Sequence, residues 1–514
     1  MMRSLYSGVS GLKVHQTKMD VIGNNISNVN TVGFKSSQVN FSDILYQTTS
    51  NASGPNADAH TAGINAKQIG LGSSVSAIST TITVSGGSQR TDNALDIMIE
   101  GNQFFIVNNG TQNYFTKAGA FTIDASGLLC TTGGYKVMGW QVDSKDPTKV
   151  VQDTVSDLRV RSDQWMHTPP EATTEVNFTG NIDYKDTQLG EQASGKTTTM
   201  SFYDNLGQNY TAVLNLKKPS EEDGIAENAA AGENGTYALR ITDILDSNGK
   251  SIFIKEVVDE ETGKITYVQN EAIPSISFGG GEHVFSFEAT EAFEESGEFN
   301  LVGAPVSVYF NQSNGHIISV GDHEEEETDP GAATKVSLFI GEGGGEGDND
   351  SNSPFPAKGI TCDFSAMTMY ASSGSSTFAA HRGTLNDGLG AGKPKGNMTG
   401  LAVDSSGRIY GSYDNGDKQL IGQIAVASFA NPAGLEAAGN SLFLSTMNSG
   451  EFDGIGEDIS VSGGKMTTGV LEMSNVDLSS EFTSIITTQR GFQANSRVIT
   501  TSDTLLEELI NLKR

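Results

Sequence analysis

The chain has 514 residues, with 32 Lys or Arg against 62 Asp or Glu, so its formal net charge is −30 at pH 7. This charge makes nucleic acid and anionic membranes poor partners. The length exceeds what one hydrophobic core supports, and it predicts about three or four domains.

The sequence contains no disulfide framework and no secretory signal. Cys130 and Cys362 allow at most one bridge, and we interpret each as a small buried side chain. Charged residues such as Lys13, Lys18 and Asp20 interrupt the N-terminal segment, which therefore lacks the apolar run of a signal peptide. No stretch reaches the roughly 18 apolar residues needed to cross a bilayer. We expect a soluble protein without membrane insertion, exported, if at all, by a route that reads no cleavable signal.

Residues 1–72 are predicted to form an N-terminal helix, from about Ser4 to Val29, and a polar connector without regular structure after Phe41. Apolar or neutral side chains recur along the helix at alternating steps of three and four: Leu5, Val9, Leu12, Gln16, Met19, Gly23 and Ile26. This spacing places them on one stripe, as in a coiled coil. Glycines such as Gly8 and Gly11 each cost about 1 kcal/mol relative to alanine, so the isolated helix is expected to be mostly disordered.

Short β-strands are predicted in three successive regions. We assign 73–160 and 371–465 to the two halves of an inner β domain, and 161–370 to outer β domains. Acidic, glycine-rich insertions are expected near 217–299 and 322–358. Within the last region, Asn415–Gly416 predicts a hairpin turn of type I′, in which both residues have positive φ.

A second long helix is predicted in the final region, 466–514, with Asn475 or Asp477 as its N-cap. Its stripe repeats the N-terminal spacing at Leu478, Phe482, Ile485, Gln489, Phe492, Ser496, Ile499, Leu506 and Leu509. About 35 residues span roughly 50 Å, which is too long for the helix to bury its stripe inside a compact domain. Stripes at both ends of the chain therefore indicate helices that pack in an assembly.

We find no catalytic, cofactor-binding or metal site in the sequence. The histidines show no ligand spacing, and no nucleotide-binding or nucleophile motif is present. Asp348–Asn352 begins like a calcium loop, but Ser353 and Gly359 stand where glycine and glutamate are required. We interpret the segment as an acidic loop, and Trp140 and Trp165 as core or domain-junction residues.

The two ends of the chain also resemble the axial proteins of the bacterial flagellum, and hook proteins most closely. Segments similar to the family's terminal motifs are Ser10–Leu12, Asn24–Asn28, Asn30–Lys35, Ser474–Asp477, Gln489–Arg490, Gln493–Ser496 and Leu506–Leu512. Internal segments that resemble hook rather than rod proteins are Phe202–Gly207, Gly407–Ile409, Tyr413–Gly416 and Ile424–Leu435. The resemblance covers roughly 1–215 and 300–514 and fades over the two insertions.

The resemblance implies a multidomain protein with mainly β outer domains and long terminal helices that form a coiled-coil-like inner domain. It implies a structural subunit that self-assembles into the tubular, bendable hook and couples motor torque to the filament. The implied partners are further copies of the chain, a hook cap protein, distal rod and hook–filament junction proteins, and a flagellar type III export apparatus. The implied location is extracellular, and no cofactor is expected.

Two other interpretations stay open at this stage. A distal-rod or hook-associated axial protein would share the terminal motifs, and an extracellular adhesin-like protein would use the outer β domains to bind glycans. An enzyme is the least favoured alternative.

Overall fold

The computed structural model divides into two compact units, residues 1–166 with 398–514 (unit 1) and residues 167–397 (unit 2). The described residues are 2–55, 62–143, 146–225, 234–258, 265–271, 273, 275–279, 283–321, 333–341 and 354–512. The acidic segments Glu324–Glu327 and Asp348–Asn352 lie outside them. The unit boundary at 397/398 differs from the boundary at residue 370 that the sequence suggested, because Ala379–Arg382 pairs with Glu175–Asn181 inside unit 2.

Two long helices stand at the ends of unit 1, as predicted. They span Met2–Ser27 and Leu478–Asn511. The carboxylate of Asp477 accepts a hydrogen bond from the backbone N–H of Ser479 at 2.9 Å and caps the second helix. The described chain is otherwise mainly β, which confirms that part of the predicted fold class.

The main sheet of unit 1 contains strands that precede unit 2 in the sequence and strands that follow it. Its strands, in spatial order, are Gly396–Val403, Arg408–Tyr413, Lys418–Ile424, Lys136–Gln141, Phe104–Asn108, Asn113–Thr116, Leu442–Leu444 and Glu436–Gly439. Short strands at its sides are Phe121–Ile123, Leu129–Thr131, Ser156–Asp157 and Val426–Ala427. Two further pairs are Ser88–Arg90 with Val470–Glu472 and Ile97–Glu100 with Lys465–Thr468. Phe105 and Phe121 are buried at its centre with their rings edge to face, 4.9 Å apart.

The connector after the first helix is not the loop that its polar composition suggested. Ser37–Asp43 pairs antiparallel with Ser73–Thr80, and Tyr46–Ser50 pairs with Lys67–Gly70. Ser, Thr, Asn and Gln alternate with few apolar residues there, so the strands carry almost no hydrophobic signal. The second hairpin is exposed along both strands, and an isolated two-stranded hairpin is marginal by itself.

Unit 2 is built from two larger sheets and a separate hairpin. One sheet has the spatial order Phe299–Gly303, His283–Ala289, Ser275–Phe278, Lys335–Ile340, Ile360–Thr368, Glu175–Asn181 and Ala379–Arg382. The other has the order Lys196–Tyr203, Asn209–Lys217, Thr236–Leu245, Val306–Phe310 and Ile317–Val320. The hairpin pairs Ile254–Val258 with Ile265–Gln269. Much of the region interpreted as insertion near 217–299 thus forms regular strands.

The first and last residues of unit 2 pair with each other. His167 and Thr168 pair antiparallel with Asn397 and Gly396. A contact of 3.0 Å between Nδ1 of His167 and Oδ1 of Asn397 reinforces this pairing. The chain therefore enters and leaves unit 2 at one place.

Helices of one turn complete the described structure. They are the α-helical turns Asp163–Met166 and Phe293–Ser296 and the 3₁₀ turns Thr187–Leu189, Glu221–Asp223 and Pro432–Gly434.

The hairpin at Asn415–Gly416 corrects the predicted turn type. Gly416 has φ +87°, but Asn415 is not among the residues with positive φ, so the turn is not of type I′. The side chain of Asn415 accepts a hydrogen bond from the N–H of Asp417 at 3.0 Å, an arrangement typical of an Asx turn. Three consecutive positive φ angles occur at Gly439, Asn440 and Ser441, 87°, 53° and 57°, where the chain turns between two paired strands.

Both tryptophans and Cys362 are buried, as interpreted, whereas Cys130 is only half-buried. Trp140 and Trp165 are 2% and 8% exposed, and the indole N–H of Trp140 donates to the carbonyl of Asp153 at 2.8 Å. Both cysteines are free thiols. Cys362 is fully buried, and burial raises the pKa of its thiol.

Candidate assembly interface

The two terminal helices pack against each other in antiparallel orientation. The hydroxyl oxygens of Ser4 and Ser502 lie 3.3 Å apart near one end of the pair. Near the other end, Nδ2 of Asn25 donates to Oε1 of Glu481 at 2.9 Å. The N-terminus of each helix therefore lies beside the C-terminal half of the other.

Glycines set the close approach of the helices. A Cβ placed on Gly11 would lie 2.6 Å from Nδ2 of Asn495, and a Cβ on Gly491 would lie 2.7 Å from the ring of His15. Real Cβ atoms do not approach other atoms so closely. Each helix thus offers a glycine where the other presents a larger polar side chain, so the residues that weaken the isolated helices permit their pairing.

We call the contacting residues the packing seam. It consists of Ser4, Gly8, Gly11, His15 and Asn25 on the first helix and Glu481, Gly491, Asn495 and Ser502 on the second. These residues are small or polar, and they follow the same steps of three and four as the predicted stripes. Each stripe is displaced from the packing seam by one residue, so most stripe residues lie beside the contact between the helices and not in it.

The predicted stripe residues are instead half-buried or exposed. The exposed ones are Val9 at 43%, Phe482 at 52%, Leu478 at 37% and Leu509 at 49%. The half-buried ones are Leu5, Leu12, Met19, Ile26, Ile485, Phe492, Ile499 and Leu506. Ile499 also contributes to the pair, since a Cβ on Gly8 would lie 3.0 Å from its Cγ1.

Both stripes lie on one side of the helix pair. Successive residues of a helix are rotated by about 100°. On each helix, the stripe lies one residue after the packing seam and is therefore turned away from it by about 100°. Because the helices are antiparallel, these two rotations bring both stripes to the same side of the pair. We call the combined surface the apolar face.

His15 occupies the packing seam next to a strand of the connector. Its ring lies edge to face with Phe41, with centroids 6.0 Å apart, and the ammonium of Lys18 lies 5.5 Å from the centre of the Phe41 ring. Burial and the nearby Lys18 charge lower the pKa of His15. A neutral imidazole at neutral pH suits this partly apolar position.

Asn25 connects three segments at the end of the first helix. The residue is 1% exposed, and its side chain accepts from the N–H of Ser37 at 3.0 Å and donates to the carbonyl of Ser37 at 2.9 Å. With the bond to Glu481, this amide joins the first helix, the connector and the second helix. It lies in the Asn24–Asn28 motif, and the search for apolar periodicity missed it because the side chain is polar.

A buried ion pair lies beside this connection. Nζ of Lys35 is 2.7 Å from Oε1 of Glu472, and both side chains are at most 1% exposed. Lys35 also donates to the carbonyl of Val84 at 2.8 Å, while Glu472 accepts from the N–H of Gly86 at 3.0 Å. Such pairs are costly to break, because the remaining charge stays buried and unpaired.

A second amide, Asn475, completes the link between the two chain ends. Its Oδ1 accepts from the N–H of Ser36 at 2.7 Å, and its Nδ2 donates to the carbonyl of Thr81 at 2.8 Å. We call Asn25, Lys35, Glu472 and Asn475 the junction. Three of the four fall within segments that resemble the terminal motifs, and that resemblance was the available signal for them.

Lys117 places a second buried amine near the junction. It is 1% exposed, donates to the carbonyl of Gly101 at 2.6 Å and lies 5.1 Å from the centre of the Phe104 ring. Burial lowers the pKa of Lys117 to about 8, partly offset by the charge of Glu472.

The described part of the chain holds no group of three or more His, Cys, Asp or Glu side chains arranged for a metal ion. None of its helices combines the length and apolar character of a membrane span.

Three family models match separate parts of the sequence. "Flagella basal body rod protein" matches residues 5–35, "Flagellar hook protein FlgE/F/G D1 domain" matches 98–179, and "Flagellar basal body rod FlgEFG protein C-terminal" matches 467–512. The first and last include most of the first helix, the whole second helix and all four junction residues.

Full-length relatives are flagellar hook proteins. The chain is 35% identical to the flagellar hook protein FlgE of Borreliella burgdorferi and 33% identical to that of Treponema pallidum, with 100% of both chains covered in each case. It is 38% identical to the flagellar basal-body rod protein FlgG of Bacillus subtilis, but over only 47% of this chain and 82% of the rod protein.

Proposed function

Because the chain belongs to the flagellar hook protein family and is a structural subunit that self-assembles into the hook, we propose that its helix pair builds the inner wall of that assembly. In this proposal, the apolar face of each copy packs against the helices of neighbouring copies and forms a coiled-coil-like inner domain. The observation that carries it is the displacement of the stripes from the packing seam, which leaves apolar side chains exposed on both helices.

The exposed side chains are large enough to drive association. Phe482 is 52% exposed and Val9 is 43% exposed in the single chain. Full burial of an aliphatic or aromatic side chain contributes about 1.5–3 kcal/mol. Several such residues on one face therefore add favourable free energy when a neighbouring copy covers them.

The fully exposed connector hairpin supports the same proposal. Its strands Tyr46–Ser50 and Lys67–Gly70 carry Tyr46 and Ile69 at 57% and 45% exposure. A hairpin with no core of its own gains stability when neighbouring copies cover it.

Further parts of the proposal follow from membership of the family. The β-rich units would form the outer layers, and sliding between them would let the tube bend while it transmits motor torque. The subunit would leave the cell through a flagellar type III apparatus, polymerise beneath a cap protein, and contact distal rod and hook–filament junction proteins.

Polymerisation of the purified full-length chain tests this function. We expect the wild type to form curved tubes in electron micrographs, and straight tubes would favour a rod protein. Ile485→Asp and Leu506→Asp should remain monomeric in sedimentation while near-ultraviolet circular dichroism shows intact β units. Thr487→Asp, an exposed substitution on the other side of the same helix, is the matched control. Normal tubes from the two stripe variants would refute the role of the apolar face.

A further inference from the structure

Two glutamines interrupt the apolar face at its centre. On the first helix, three stripe positions precede Gln16 and three follow it. On the second helix, Gln489 has three stripe positions on each side up to Leu478 and Ile499. Ser496 is the other polar stripe residue in this span, and its side chain is much smaller.

The two glutamines lie at the same height along the helix pair. The contacts His15–Gly491, Gly11–Asn495 and Asn25–Glu481 keep one antiparallel register. In this register, the residue after His15 is level with the residue before Gly491, so Gln16 lies within one residue of Gln489. One residue is a rise of about 1.5 Å, so the two amides form a single polar band across the face.

Both amides are available for a partner. Gln16 and Gln489 are exposed, and neither side-chain amide has a hydrogen bond to any residue that the structure describes. The stripe positions between Leu5 and Ile26 and between Leu478 and Ile499 carry no charged side chain, although the whole chain has a net charge of −30. Two copies can therefore approach at this face without opposing like charges, whereas most of their surface repels.

We propose that a neighbouring copy of this chain covers the apolar face and that Gln16 and Gln489 fix the axial register of the contact. The inference rests on the proposed assembly and adds which residues select one register. An otherwise apolar face can slide by whole heptads with little loss of burial. A buried amide must find a hydrogen-bonding partner, so registers that leave it unpaired are disfavoured, as for single polar residues in coiled coils.

Leucine substitution separates register from affinity. Gln16→Leu, Gln489→Leu and the double variant remove the polar band but keep the apolar surface. For the full-length double variant, we expect the critical concentration for polymerisation to fall about tenfold, which corresponds to roughly 1.4 kcal/mol. Cryo-electron microscopy of the same polymers should show more than one helical symmetry. Thr487→Leu, on the other side of the second helix, should leave both quantities unchanged.

Thiol labelling tests whether a copy covers the face. Gln16→Cys and Gln489→Cys should react with a soluble maleimide in the monomer and be protected in the polymer, above the background of Cys130 and Cys362. Continued labelling in the polymer would show that no copy lies there. Wild-type symmetry in the leucine variants, or their failure to polymerise, would overturn the role in register. Either result is distinct from a failure of the proposed function, in which the wild type itself forms no tubes.

Discussion

Nδ2 of Asn25 donates a hydrogen bond of 2.9 Å to Oε1 of Glu481, across 456 residues of sequence. The same amide also donates a hydrogen bond to the carbonyl of Ser37 and accepts one from the N–H of Ser37. One side chain of the first helix is therefore satisfied only when the connector and the second helix are both in place. The order of the first helix depends in this way on a residue far downstream in the chain.

Asn25→Ala should loosen the helix pair. The substitution leaves the N–H of Ser37 and the carboxylate of Glu481 without their partner, and such a loss costs about 1–3 kcal/mol. We expect faster amide hydrogen exchange in both terminal helices and a lower melting temperature for their helical circular dichroism signal. The control is Asn24→Ala, because Asn24 is exposed and bonds only within its own segment, through Asn28. Equal effects of the two substitutions would contradict the linking role of Asn25.

Alanine at Gly491 should lower the stability of the helix pair, whereas alanine at Gly23 should raise it. In a free helix, Gly→Ala gains about 1 kcal/mol. A Cβ at Gly491 would lie 2.7 Å from the His15 ring, whereas a Cβ at Gly23 would meet no atom within 4 Å. We therefore expect Gly23→Ala to raise, and Gly491→Ala to lower, the melting temperature of the helical signal in the monomer. A gain at both positions would mean that the helices do not pack as closely as described.

Lys35→Met should destabilise unit 1 strongly. It leaves the carboxylate of Glu472 buried without its cation, at a cost of about 3–5 kcal/mol. The double variant Lys35→Met with Glu472→Met removes both charges and should recover much of the loss. Urea unfolding of wild type, single and double variants forms a double-mutant cycle that measures the coupling. Additive single losses would show that the ion pair contributes nothing of its own.

Lys117 should make stability increase in alkaline solution. Its pKa is lowered from 10.5 to about 8 by burial. Between these values the unfolded chain binds more protons than the folded chain, so the free energy of unfolding rises with pH through this window. The difference between the two pKa values of Lys117 corresponds to about 3 kcal/mol in the free energy of unfolding.

Removal of the Lys117 charge should therefore stabilise the fold at pH 7 and flatten this pH dependence. Urea unfolding of Lys117→Met between pH 7 and 10.5 measures both effects. The exposed Lys418 supplies the control, Lys418→Met. If Lys117→Met and the wild type gained equal stability over this pH range, the burial of a charged amine would not be the cause.

Apolar periodicity predicted the terminal helices well and their mutual contact poorly. Leu5, Leu12 and Phe492 revealed both helices because large apolar side chains dominate a periodicity search. Gly11 and Gly491 carry the contact, but glycine contributes no hydrophobic signal and suggests only helix weakness. Which residues two helices present to each other depends on the distance of approach, and a single sequence does not state that distance.

Polar strands and polar links were missed for a related reason. Val39 is the one buried side chain of its strand, so the alternation that marks a half-buried strand is almost absent there. Lys35 and Glu472 were invisible as a pair because they are far apart in sequence and each is ordinarily a surface residue. The turn at Asn415 was misassigned because its side chain bonds Asp417, a local interaction that the Asn-Gly pattern does not reveal.

Because His167 pairs with Asn397, the two ends of residues 167–397 lie side by side, and the segment can be replaced as one piece. Since entry and exit strands adjoin, the whole segment can be cut out and its flanks rejoined by a short turn, or replaced by an unrelated domain whose own ends lie close together. Subunits that share unit 1 can thus carry very different inserted domains. A chimera of this kind offers a route to assemblies that carry a chosen enzyme or antigen once in every subunit.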